Sequence, residues 1–115
     1  MSDEHAVFVN FVLTGDGFGE EAERDAVYEL EDRLEAALAA AGSGELDGHE
    51  FGAGNAQIYL YGPDADALFR SVEPLLRTAG LPPTDAVLRF GSVEDEGCRV
   101  EVVRFGEEDG SNGGL

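Results

Sequence analysis

The chain predicts an α+β domain built as a two-layer α/β sandwich, with elements in the order β-α-β-β-α-β and an extra C-terminal strand. Three observations carry that expectation. Strand-like runs of β-branched and aromatic residues alternate with two longer segments whose apolar residues recur at helical spacing. Glycine, proline or aspartate punctuates the changes of period. A length of 115 residues with 43% hydrophobic content suits one domain that buries its own core.

The first strand is Ala6-Val7-Phe8-Val9-Asn10-Phe11-Val12-Leu13, apolar almost throughout and so suited to the middle of a sheet. Alternation puts Val7, Val9, Phe11 and Leu13 on one face and Phe8, Asn10 and Val12 on the other, which the asparagine marks as less buried. The run Gly15-Asp16-Gly17-Phe18-Gly19 breaks this strand. From about Glu20 to Ala41 the period becomes helical, with Val27, Leu30, Leu34, Leu38 and Ala41 on one stripe. Glu20, Glu21 and Glu23 suit the positive end of the helix dipole, and Gly42 supplies the stop.

A hairpin follows. Its strands are Leu46 to Phe51 and Ala56 to Tyr61, turned at Gly52-Ala53-Gly54-Asn55. Ala56, Ile58 and Leu60 alternate against Gln57, Tyr59 and Tyr61. Asp64 then caps a second helix striped by Ala65, Leu68, Val72, Leu75 and Ala79, with Phe69 and Leu76 widening the stripe. Pro74 lies inside that pattern and should kink the helix or divide it. Gly80-Leu81-Pro82-Pro83 ends it. Ala86 to Gly91 and Cys98 to Phe105 are the last strands, joined by Glu94-Asp95-Glu96-Gly97. Residues 1–105 therefore make the domain, and residues 106–115, acidic and glycine-rich, a flexible tail.

Two β-α-β crossovers on one antiparallel sheet describe a ferredoxin-like sandwich with both helices on one face. The other face is left open. It is expected to carry Phe8, Asn10, Gln57, Tyr59, Tyr61 and Arg89. Asp47 and His49 are candidates for the same face, subject to the hairpin register. A three-residue turn sets His49 opposite Gln57, among the tyrosines, and a four-residue turn sets it opposite Ile58, towards the helices. A second copy of the chain is the expected cover for such a face.

Charge narrows the function. Asp and Glu number 25 against 7 basic residues, all arginine, for a formal net charge of −18. Such a field repels phosphate backbones and anionic membranes, so no nucleic acid or membrane is expected as a partner. The acidic Met1-Ser2-Asp3-Glu4-His5 segment has no basic n-region and no long apolar run after it, and Cys98 has no second cysteine to pair with. These features suit a cytoplasmic chain. The acids concentrate on the first helix, whose outer face carries Asp25, Glu29 and Asp32. Solubility alone accounts for an acidic surface. The sharper reading is a face that meets a basic protein partner.

No catalytic constellation emerges. Gly15-Asp16-Gly17-Phe18-Gly19-Glu20 sits between strand and helix, as a phosphate loop would, but glutamate occupies the third glycine position of that fingerprint. A turn that needs positive φ is the better account. Asp47, His49 and Glu50, with His5, are metal-ligand types, yet Glu50 alternates to the opposite strand face from the other two hairpin residues. Neither a metal nor a cofactor is expected. The Tyr59/Tyr61 pair resembles the stacking platforms of RNA-binding sheets but lacks their accompanying basic residues.

Asp47-Gly48-His49-Glu50-Phe51-Gly52-Ala53-Gly54 followed by Gly62-Pro63-Asp64-Ala65-Asp66-Ala67-Leu68 resembles a D-G-x-x-F-G-x-G … G-P-D-A-D-x-L pattern of small bacterial proteins without an established activity. The resemblance covers about the middle third of the chain and implies a bacterial source. The element order also resembles that of ACT-type domains. This implies a small-molecule ligand near the first strand–helix loop, here Gly15, Asp16, Gly17 and Gly19. Two functions are thus expected: a non-enzymatic acidic interaction domain, immunity- or antitoxin-like and a homodimer through its open sheet face, or an ACT-like regulatory module.

Overall fold

The computed structural model describes residues 4–14, 17, 19–92 and 96–105. The chain forms an α+β fold in which two helices pack on a five-stranded antiparallel sheet. In chain order the elements are β1 (His5–Val12), α1 (Glu21–Ala41), β2 (Glu45–Gly52), β3 (Asn55–Gly62), α2 (Ala65–Arg77), β4 (Asp85–Arg89) and β5 (Val100–Arg104). The strands lie in the order β2-β3-β1-β4-β5, which puts the most apolar strand in the middle.

The alternation in β1 is realised. Val7, Val9, Phe11 and Leu13 are buried, whereas Val12 on the other face is 60% exposed. Ala56, Ile58 and Leu60 of β3 and Ala86 and Leu88 of β4 extend the same buried layer. Against it pack Val27, Leu30, Leu34 and Leu38 of α1 and Ala65, Leu68, Phe69, Val72 and Leu76 of α2. Ala41, counted into the α1 stripe from its spacing, is exposed at the last residue of the helix. Gly42 takes the left-handed conformation (φ 65°), and its amide and that of Ser43 bond back into the last turn.

Strand ends shift from the sequence reading by a residue or two throughout, and three differences bear on the site. α2 runs unbroken through Pro74 rather than dividing there. Pro74 and Arg70, whose carbonyl loses an amide partner, both lie on the exposed side, where water can satisfy it. β4 begins at Asp85, one residue early, because Asp85 already pairs with Asn10. β5 starts at Val100 rather than Cys98. The tail, residues 106–115, lies outside the described residues, as do Glu94 and Asp95 of the expected last turn.

The hairpin closes with Ala53 and Gly54 as its central residues, at φ 55° and 80°. Positive φ at both is what a type I′ hairpin turn requires. The tip is tied to the loop before α1, since Gly54 N donates to Gly17 O at 2.9 Å and Leu13 N to Gly54 O at 2.8 Å. Where β3 ends and β2 begins, Gly44 and Gly62 let two backbones touch. A Cβ on Gly62 would collide with the Ser43 carbonyl oxygen, and one on Gly44 with that of Tyr61.

Candidate functional site

The hairpin register decides which side chains share a face. Gly52 pairs with Asn55, Glu50 with Gln57 and His49 with Ile58. His49 therefore points towards the helices and is removed from the open-face candidates. Its Nδ1 lies 2.8 Å from Glu31 of α1, and its ring packs between Tyr28 and Phe51, at 5.4 and 5.1 Å between centroids. Asp47 parts company with it. The pairing shifts between Leu46 and Gly48, leaving Asp47 as the extra residue of a β-bulge. A bulge breaks the period of two, so the shared face expected for Asp47 and His49 is lost. Asp47 acts on the open face, where its charge helps to raise the Tyr61 pKa.

On that face the cross-strand pairs line up in rows. Glu50, Gln57, Asn10, Asp85 and Arg104 form one row across all five strands. Gly48, Tyr59, Phe8, Val87 and Val102 form the next, and Glu45, Tyr61, Ala6, Arg89 and Val100 the one beyond. The first row is knitted by side chains: Gln57 Nε2 donates to Asn10 Oδ1 at 2.5 Å, and Asn10 Nδ2 donates to Asp85 Oδ1 at 2.7 Å. Asn10, the odd polar residue of β1, is the middle of that chain. The second row is apolar, with the Phe8 ring edge-on to Tyr59 at 5.6 Å and to Tyr61 at 6.3 Å. At the β5 edge Val100 and Val102 remain about half exposed (46% and 48%).

Tyr59 joins the rows by donating its hydroxyl to Glu50 at 2.6 Å. That bond to a carboxylate, with burial second, pushes the Tyr59 pKa up to about 12. Burial first, then the charges of Asp47 and Glu4, raise that of Tyr61 as well. Both phenols are therefore neutral hydrogen-bonding groups at physiological pH. Arg89 sits on the same face and donates to the Ser92 carbonyl at 3.3 Å. Where β1, β2, β3 and β4 meet near the hairpin tip, Asn10, Val12, Glu50, Asn55, Gln57 and Asp85 border an open depression of about 650 Å³.

No family model, curated protein or solved structure matches the chain.

The remaining candidates fall elsewhere. Asp25, Glu29 and Asp32 are exposed on the outer side of α1, away from Val27, Leu30 and Leu34. Of the loop candidates, Gly15 and Asp16 lie outside the described residues, while Gly19 adopts φ 80°. The amides a ligand would use beside Gly19 are engaged by Glu23, whose carboxylate accepts from Glu20 N at 2.9 Å and from Thr14 N at 3.0 Å. The Glu20 amide bond is the main cause of the lowered Glu23 pKa, which burial opposes and the Thr14 amide and hydroxyl reinforce. His5, considered as a metal ligand, instead accepts from Ala65 N at 3.0 Å and caps α2. Among the described residues no group of three or more His, Cys, Asp or Glu side chains is placed to hold a metal ion, and no helix is long and apolar enough to cross a membrane.

Sequence reasoning overlooked Asp85, Val87, Val102 and Arg104, and weighed Glu50 only as a metal-ligand type without placing it on the open face. The signal for Glu50 was present, since placing Gln57 outward in a two-residue turn puts Glu50 opposite it. Asp85 follows Pro82-Pro83-Thr84 and reads as loop until its pairing with Asn10 is known.

Proposed function

We propose that the chain is a non-enzymatic, cytoplasmic protein-interaction domain whose acidic α1 face meets a basic protein partner, as an immunity or antitoxin-like protein would. The open sheet face, in the same reading, joins two copies into a homodimer. The observation that carries the proposal is the exposure of Asp25, Glu29 and Asp32 on one side of a helix whose other side is sealed into the core. Acids spaced i, i+4 and i+7 repel one another and add nothing to the helix. A cationic surface would relieve that repulsion. The strand order β2-β3-β1-β4, with β5 outside β4, supports the ferredoxin-like assignment because each helix then bridges two strands that flank a third. The lone Cys98 supports a reducing compartment.

The test is affinity capture from a host extract with the wild type and a Glu29→Arg/Asp32→Arg variant side by side, over a salt series. A partner held by the acidic face is lost from the variant, and its retention by the wild type falls as salt rises. A partner retained equally by both proteins defeats the proposal.

A second reading, the ACT-like small-molecule module, is favoured by the depression of about 650 Å³ beside the hairpin tip. That volume lies within the range of small-ligand sites. Its test is a thermal-shift screen against amino acids and nucleotides. A ligand at about 100 times its Kd should stabilise the fold by about 2.7 kcal/mol. An absence of any shift removes this reading.

A further inference from the structure

We propose that two copies meet face to face about a two-fold axis parallel to β1, so that the β2 edge of one sheet lies over the β5 edge of the other. The proposal rests on the reading of the open face as the homodimer surface and adds which residues meet across it.

The argument is one of self-complementarity. Charge on the face differs from one edge to the other: Glu45, Asp47 and Glu50 belong to β2, while on β4 and β5 the two cations Arg89 and Arg104 outnumber the single acid Asp85, which is engaged by Asn10. A two-fold along the strands through Phe8 exchanges the two edges within each row. Glu50 then meets the partner's Arg104, and Tyr61 meets the partner's Arg89, cation against ring face. Tyr59 meets the partner's Val87. The half-exposed Val102 meets the partner's Gly48, where the absence of a side chain leaves room for it. Phe8 meets its own copy on the axis.

The other aligned arrangement, a two-fold running across the strands, sets Glu50 over the partner's Glu45 and Gly48 over the partner's Gly48. It gains Arg89 over the partner's Asp85, but that carboxylate is already engaged by Asn10, and the β2 edge stacks acid on acid and faces one gap with another. Aligned sheets pack about 10 Å apart with strands some 30° askew, an offset that long Glu and Arg side chains can span.

Net charge does not forbid the pairing. The most acidic helix lies on the far side of each sheet, so both α1 faces point outwards, separated by two sheets and two helix layers. Residual repulsion between copies of charge −18 is screened by salt over a Debye length of about 10 Å at 0.1 M. Five strands at about 4.8 Å spacing and about 20 Å long give a footprint of about 500 Å². Projecting side chains raise the accessible area towards the roughly 800 Å² per partner of a standard interface.

The experiment is sedimentation equilibrium on the full chain from about 1 to 200 μM, a range that covers weak dimers of this size. The variants are Glu50→Arg, Arg104→Glu and Val102→Asp, each checked for native circular dichroism. Arg104→Glu leaves the Tyr59–Glu50 hydrogen bond intact and decides the matter if Glu50→Arg fails to fold, because the other arrangement sets Arg104 over the partner's Val100 rather than over Glu50. Each single variant should weaken the dimer by about tenfold or more. Mixing the Glu50→Arg and Arg104→Glu chains should restore it, because in the mixed dimer both edge contacts again pair opposite charges. A wild-type chain that stays monomeric throughout overturns this proposal and the homodimer reading together. A dimer that Val102→Asp weakens but Glu50→Arg leaves unchanged or tightens overturns the axis alone and leaves the open-face homodimer standing, whereas a dimer that none of the variants weakens overturns both.

Discussion

Asn10 is the residue whose replacement should say most about the open face. It accepts from Gln57 and donates to Asp85, so Asn10→Asp keeps the first bond and turns the second into a contact between two carboxylates. At about 4 Å and an effective dielectric constant of about 20, two like charges repel by about 4 kcal/mol. The site is half-buried, so solvent screening cuts this several-fold, and loss of a charge-assisted hydrogen bond adds about 1.5 kcal/mol. A net destabilisation of about 2–3 kcal/mol at pH 7 follows, a drop of about 8–20 °C in Tm for a domain of this size. Asp85→Asn in the same chain should recover most of it, because the amide introduced at position 85 can donate to the carboxylate introduced at position 10. Urea titrations of the two single variants and the double variant complete the cycle. If Asn10→Asp matches the wild type at pH 7, or if the double variant adds the two losses, the row is not the coupled unit described.

Other outcomes follow from single groups. Tyr59 is neutral to about pH 12 when folded but ionises near 10 when unfolded, so its contribution is whole below about pH 10 and is lost as pH rises towards 12. Tyr59→Phe should flatten the fall of stability across that window, and an unchanged slope would break the link to Glu50. Glu23 has the opposite sign: its lowered pKa adds stability above about pH 4.5 that disappears on further acidification, and Glu23→Gln should blunt acid unfolding followed by circular dichroism. Ala53 occupies a left-handed position without being glycine or asparagine. Ala53→Asn should therefore raise stability by about 0.5–1 kcal/mol in a urea titration, and a loss of stability would argue against the type I′ turn.

Much of this fold is legible from period alone. The alternation of Val7, Val9, Phe11 and Leu13 against Phe8 and Asn10 and the stripe from Val27 to Leu38 both express the side of an element that water cannot reach. The hairpin was legible as an element but not in its facing. Neither the positive φ of Ala53, which alanine does not favour, nor the bulge at Asp47 is written in residue preference; both are set by how β2 must meet β3. Gly48, a glycine inside a strand, was the local hint of a bulge. One extra residue there separated Asp47 from His49, the pair on which the site reading had turned. The row from Glu50 to Arg104 joins residues from five strands, so no single window of sequence contains it.

The central place of β1 also matters before the domain exists. Of the five strands β1 is made first, but the two strands that cover its edges, β3 and β4, follow only after α1 and after α2. During that interval an eight-residue strand, apolar on one face and nearly so on the other, has both edges open. Segments of this kind pair readily with copies of themselves on neighbouring chains. Asn10 interrupts that run, and the acidic helix made next surrounds it with charge. Asn10 and the acidity of α1 thus bear on synthesis as well as on the finished molecule, working against the pairing of the central strand with the wrong partner.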